Sequence, residues 1–169
     1  MTIPLPLETE RLSIRAFDDG DIDSMAAVYG DPRVMAHVCL GVLDRDETTA
    51  LLEGYRRAQD ERGFSTWAVV DRESGSVVGD VGFGVYEPSG EPELGYTLAA
   101  AFWGRGYGLE AARACVDAAF AHLPARRLVA KVEVGNERSL RLAERLGMHR
   151  VGTISVDGHP HVLLALDRP

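Results

Sequence analysis

A mixed α/β fold, with one sheet and helices on both of its faces, is what this chain predicts. Three observations carry that expectation. Short stretches alternate apolar and polar residues, as half-buried strands do. Between them lie segments with apolar residues at helical spacing. Asp, Asn, Gly and Pro mark the boundaries in capping and turn positions.

Arg11 to Phe17 alternates Leu12, Ile14 and Ala16 against Arg11, Ser13 and Arg15, a strand with one buried face. Asp18, Asp19, Gly20 and Asp21 break it and supply helix N-caps. Ile22, Met25, Ala26 and Tyr29 follow at helical spacing, and Asp31-Pro32 starts a second short helix. Asp44 and Glu47 have capping-box spacing ahead of an amphipathic helix through Leu51, Leu52, Tyr55, Ala58 and Arg62, with Gly63 as its stop. Phe64 to Asp71 and Val77 to Tyr86 read as a hairpin around Ser74-Gly75. Glu87 to Pro92 reads as a turn and Glu93 to Leu98 as the next strand. Gly79, Gly82, Gly84 and Gly95 lie inside these strands, where glycine marks a bulge or a close backbone approach. From Tyr107 the chain turns helical, with the stripe Leu109, Ala112, Val116, Ala119 and Leu123, and Pro124 ends it. Leu128 to Val134 is a strand. Asn136 caps a helix to Leu146 with Gly147 at its end, and Arg150 to Val156 and Val162 to Leu166 form a last hairpin.

Composition bounds the function. The 169 residues suit one domain, residues 1–169, and can bury a core without disulfides or metals. Hydrophobic residues make up 46% and charged residues 26%, a soluble globular balance. No stretch approaches the roughly 20 apolar residues of a membrane helix, and no secretory signal is expected at Met1 to Glu10. Cys39 and Cys115 are far apart, which suits a reducing cytoplasm rather than a disulfide framework or a zinc site. A net charge of −8 argues against a nucleic-acid partner and is compatible with a cationic amine drawn in by the long-range field.

The most informative segment is Trp103-Gly104-Arg105-Gly106-Tyr107-Gly108, between a strand and a helix. Three glycines at alternate positions let backbone N–H groups point one way. The helix N-terminus adds roughly half a positive charge, so the turn reads as an anion cradle. It is not a Walker A loop, because no Gly-Lys-Ser/Thr exists, and its G-x-G-x-G spacing is not the dinucleotide G-x-G-x-x-G.

The turn resembles motif A of the GNAT acetyltransferase superfamily, Gln/Arg-x-x-Gly-x-Gly/Ala, with Gly106 and Gly108 at its small positions. Trp103 stands where the family has Gln or Arg, and Arg105 is available as a phosphate contact. Leu7 to Arg15 is similar to the opening strand of the Rim-type branch, which acetylates ribosomal-protein N-termini. Trp103 to Ala111 and Asn136 to Met148 are similar to that branch's motifs A and B. The resemblance implies the GNAT fold, a mixed and mostly antiparallel central sheet with splayed middle strands. It also implies acetyl-CoA as co-substrate, no metal, and a primary-amine acceptor, either a protein N-terminus or a small molecule. Dimers are common in related folds, though no interface signature is visible here.

By the same resemblance, the pantetheine arm of coenzyme A enters between the strand Glu93 to Leu98 and the strand Leu128 to Val134. It would pair with backbone near Tyr96, Thr97 and Leu98, with the Leu98 N–H as oxyanion donor. Trp103, Gly104, Arg105, Gly106, Tyr107 and Gly108 would bind the pyrophosphate. Glu93 is the first choice as base, against the alternative of an exposed strand-end glutamate, and Asp80 is the second. The family's acidic tyrosine falls on Ala143 here, so Ser139 takes its place, as helper to the leaving thiol or as a capping residue only. Asn136 would cap the helix and bond the pantetheine amide. Arg138, Arg141 and Arg145 would meet adenosine phosphates, or form a solvated face with Glu137 and Glu144, the reading favoured for at least two of them.

Blander roles are expected elsewhere: a β-turn at His159-Pro160-His161, packing or surface positions for His37 and His149, and a core position for Cys115. Trp67 and Tyr86 are either acceptor-pocket linings or strand core. A non-catalytic acyl-CoA sensor, and a different nucleotide-binding enzyme using the glycine turn, are the rival functions.

Overall fold

The sheet is built from eight strands. The computed structural model describes Met1–Pro169. The chain runs β1 (Leu7–Glu8), β2 (Leu12–Arg15), α1 (Ile22–Tyr29), α2 (Pro32–Met35), α3 (Arg45–Arg62), β3 (Thr66–Asp71), β4 (Val77–Tyr86) and β5 (Glu91–Leu98). It continues with α4 (Tyr107–His122), β6 (Arg127–Glu133), α5 (Glu137–Arg145), β7 (His149–Val156) and β8 (His159–Asp167). The spatial order is β1-β2-β3-β4-β5-β6-β8-β7. Every neighbouring pair is antiparallel except β5 and β6, which are parallel and meet at one register pair, Glu93 opposite Val129. No helix is long and apolar enough to cross a membrane.

Strand alternation sends successive side chains to opposite faces. Leu12, Ile14, Trp67, Val69, Val81 and Phe83 pack with Ala111, Ala112, Cys115 and Ala119 of α4. Ala68 points the other way, into a second core with Met25 and Tyr29 of α1 and Leu52 of α3. Helices therefore cover both faces. The small residues of α4 let it lie close on the sheet. Each fully buried aliphatic or aromatic side chain contributes about 1.5–3 kcal/mol.

The capping box of α3 forms as its sequence predicts. The Asp44 carboxylate accepts from the Glu47 amide at 2.8 Å, the Glu47 carboxylate accepts from the Asp44 amide at 2.8 Å, and Gly63 closes the helix in a left-handed conformation. Two turns differ from expectation. The β4–β5 turn is Glu87 to Gly90, and Pro92 lies inside β5 opposite Val85. Alternation aims its missing N–H away from β4, and ladder pairing with β6 occurs only at Glu93, so no bond is lost. His159-Pro160-His161 is not a turn but the start of β8. The turn is Asp157-Gly158, both with positive φ, the two-residue conformation that matches strand twist.

Candidate active site

Beyond Glu93 and Val129, β5 and β6 part. A cavity of about 520 Å³ runs through the gap, from the glycine turn past Tyr96, Thr97 and Leu98 to Val34, His37 and Val38. The direction of the amides follows from pairing. The Ala99 N–H donates to the Val78 carbonyl of β4 at 2.9 Å. Alternation then turns the Leu98 and Tyr96 amides away from β4, into the gap. Trp103, the departure from the family pattern, fixes this orientation, because its indole N–H donates to the Leu98 carbonyl at 2.9 Å. The Arg138 guanidinium lies 3.4 Å from the centre of the Trp103 ring.

The turn itself has Gly104 and Gly106 at φ of 71° and 82°, where a side chain would be strained. Gly106 is the N-cap of α4, and no side chain caps the helix. The amides of the first turn are left to a ligand, with the helix dipole behind them. Arg11 braces the turn from β2's edge. It donates to the Arg105 carbonyl at 2.8 Å and to Glu110 at 2.7 Å, and stacks 4.4 Å from the centre of the Tyr107 ring. Gly108 has a different role from its neighbours. A Cβ there would meet Leu142 at 2.9 Å and Leu98 at 3.4 Å, so this glycine permits close packing of α4 on α5 rather than shaping the cradle. Arg105 lies over Phe102 and Tyr107.

On the α5 side, Asn136 accepts the Ser139 amide at 3.2 Å and so caps the helix. The Ser139 hydroxyl is not a capping group alone. It lies 2.6 Å from the Tyr96 hydroxyl, which also approaches the Ser139 carbonyl at 3.1 Å. Burial pushes the Tyr96 phenol up to about 12, so it stays protonated and able to donate. Sequence reading placed Tyr96 at the gap for its backbone; that its phenol meets Ser139 is visible only in the fold. Arg138, Arg141 and Arg145 all line the cavity, and none pairs with Glu137 or Glu144; Glu144 pairs instead with Arg150 at 3.0 Å. The three arginines form an exposed face as expected, without the expected pairing to Glu137 and Glu144.

The candidate bases are placed differently from expectation. Glu93 is the third residue of its strand, at the closed end of the gap, and its carboxylate is 3.2 Å from the Lys131 ammonium. Burial raises its pKa, and Lys131 and His161 oppose that. Asp80 is enclosed beneath β5, outside the cavity lining, and accepts the Tyr29 hydroxyl at 2.6 Å. Trp67 is core, edge-on to Phe83. Tyr86 lies 5.9 Å from the Lys131 ammonium. Cys115 is fully buried. His149 is exposed. His37, assigned to packing or the surface, lines the cavity and meets Glu133 at 3.2 Å. No group of three or more His, Cys, Asp or Glu is disposed to hold a metal ion.

A splayed parallel pair beside an uncapped helix turn is the arrangement of an acyl-CoA-dependent transferase. The family model of the acetyltransferase (GNAT) domain matches residues 11–149. The chain belongs to the GNAT acetyltransferases and is an acyltransferase. It is 32% identical over 157 residues to the uncharacterized protein YkkB of Bacillus subtilis, covering 91% of each chain. An acetyltransferase from Agrobacterium tumefaciens superposes with a TM-score of 0.84 at 29% identity, over 98% of this chain and 95% of that one. RimL, a ribosomal alpha-N-protein acetyltransferase solved with coenzyme A, shares the fold at a TM-score of 0.80 and 19% identity, over 99% of this chain and 98% of that one.

Proposed function

We propose that the protein transfers an acetyl group from acetyl-CoA to a primary amine by direct attack in a ternary complex. The observation that carries this reading is the continuous cavity from the uncapped turn, through the strand gap, to the α2 side of the sheet. The diphosphate would sit on the amides of residues 106 to 109 with the arginines of α5 nearby. The pantetheine arm would lie in the gap with the thioester carbonyl at the Leu98 amide. As the neutral amine attacks, its nitrogen bonds the carbonyl carbon and the carbonyl oxygen takes up charge, which the amide stabilises. The nitrogen gives up one proton to a base, the C–S bond breaks, and the thiolate takes a proton relayed from the Tyr96–Ser139 pair, which regains one from solvent.

This pair is why a catalytic reading is preferred to a non-catalytic sensor, although the family tyrosine is absent at Ala143. The acceptor is proposed to be a protein N-terminal amine or a small cationic amine, which the −8 charge would attract. Two free, well-separated cysteines fit a cytoplasmic location.

Thiol release from acetyl-CoA, measured with free-α-amine tripeptides and small diamines, tests the reading; failure to bind coenzyme A at millimolar concentration removes it. Ser139→Ala and Tyr96→Phe are each expected to lower kcat about tenfold, with coenzyme A affinity changed less than threefold, because one donor of a relay is lost. Turnover unchanged in both variants would remove the relay. Arg11→Met is expected to raise the KM for acetyl-CoA about tenfold with kcat nearly constant. It loosens a turn that binds ground and transition states alike.

A further inference from the structure

We infer that His37 is the general base that deprotonates the acceptor amine, held in position by Glu133. The inference rests on the transferase reading above and adds the residue that reading leaves unassigned.

Register argues against Glu93. It marks the one level at which β5 and β6 pair, and Leu98 lies five residues further along. At the rise of an extended strand that is about 16 Å. A base must reach the proton directly or through one water, roughly 3 Å per hydrogen bond. Glu93 is also held by Lys131 at 3.2 Å.

The same register brings another carboxylate forward. Four residues beyond the Glu93–Val129 pair stand Thr97 on β5 and Glu133 on β6, at the open end of the gap. Leu128, Ala130 and Val132 face the α4 core, so Glu133 faces the opposite side, where α2 lies. There one Glu133 oxygen is 3.2 Å from His37 Nδ1, and its other oxygen is 3.6 Å from His159 Nδ1.

A carboxylate on Nδ1 fixes the tautomer. Nδ1 carries the hydrogen and donates it, and Nε2 keeps a free lone pair. His37 lines the cavity that also contains Thr97 and Leu98. The neutral amine, as its C–N bond forms, gives one proton to Nε2. Glu133 stabilises the resulting imidazolium and does not itself take the proton. The proton passes to solvent after the thiolate has been protonated from the other side of the gap, and solvent returns one proton to the Tyr96–Ser139 pair, which closes the cycle. His37 touches the amine; Glu133 is a positioning residue.

The test compares steady-state turnover of acetyl-CoA with the best amine of the tripeptide and diamine panel. His37→Ala is expected to lower kcat at least a hundredfold while leaving the Kd for coenzyme A within twofold. Added imidazole should restore at least tenfold of the loss in a saturable manner. Glu133→Gln should lower kcat about tenfold through loss of orientation, with no gain from imidazole. Turnover of His37→Ala within threefold of the parent overturns the inference. So does a loss accompanied by weakened coenzyme A binding, or one that imidazole does not restore. An unsubstituted protein that binds coenzyme A but acetylates no amine would instead remove the transferase reading, and this inference with it.

Discussion

Asp80→Asn is expected to unfold about 10 °C above the parent at pH 8, and by less than half that margin at pH 5. Asp80 is 4% exposed, and burial lifts its carboxyl to about 7, against hydrogen bonds from Tyr29 and Thr97 that favour the anion. The folded-state pKa thus lies above the unfolded one, near 4. Below that value both states hold the proton and no difference arises. As pH rises from about 4 to 7 the unfolded chain releases the proton while the folded chain keeps it, so stability falls, and above 7 the loss is complete. Three units at about 1.4 kcal/mol each amount to roughly 4 kcal/mol. Asparagine matches the protonated acid in shape and carries no charge at any pH, so the variant escapes the penalty. Thermal melts of both proteins at the two pH values decide the matter. A gain that is the same at both, or a variant less stable at pH 8, would show that the carboxylate is accommodated without cost.

Gly79→Ala, one residue away on the same strand, should do the opposite, destabilising by about 4 kcal/mol. A Cβ at Gly79 would stand 2.1 Å from the Thr97 carbonyl oxygen and 2.9 Å from the Leu98 Cα, both parts of the strand that presents the oxyanion amide. These are backbone atoms and cannot swing aside, and β4 itself bulges next to this point, where Val69 and Val70 of β3 pair with Gly79 and Val77, and Val78 is skipped. The fraction that still folds should turn over slowly, because β5 can relieve the clash only by moving the Leu98 amide. Gly95→Ala is the control: nothing lies within 4 Å of its added methyl group. Urea unfolding of the pair should separate them by at least 3 kcal/mol; equal midpoints would mean that β4 and β5 can slide apart freely.

Much of this was legible in the residues. The α3 capping box, the α4 stripe ending at Pro124, the Asn136 cap and the left-handed glycines at 104 and 106 are all where local chemistry puts them. Asp157-Gly158 carried an equally plain turn signal, obscured by the neighbouring His-Pro-His. Pro92 misled for a different reason. A proline at a paired central position would break a strand, and this one is harmless because its missing N–H is turned away from β4 and β6 pairs with the strand only at Glu93.

Capping and periodicity act over three or four residues, so the chain wrote its own elements and its anion-binding turn. The partners of the reacting groups are another matter. Tyr96 and Ser139 are 43 residues apart, and His37 and Glu133 are 96 apart. No local pattern ties them together. They meet because a single parallel neighbour in an otherwise antiparallel sheet lets two strands diverge, with α5 on one side of the opening and α2 on the other. That divergence is a product of packing across the whole sheet, and it alone decided which hydroxyls, imidazoles and carboxylates share the cavity.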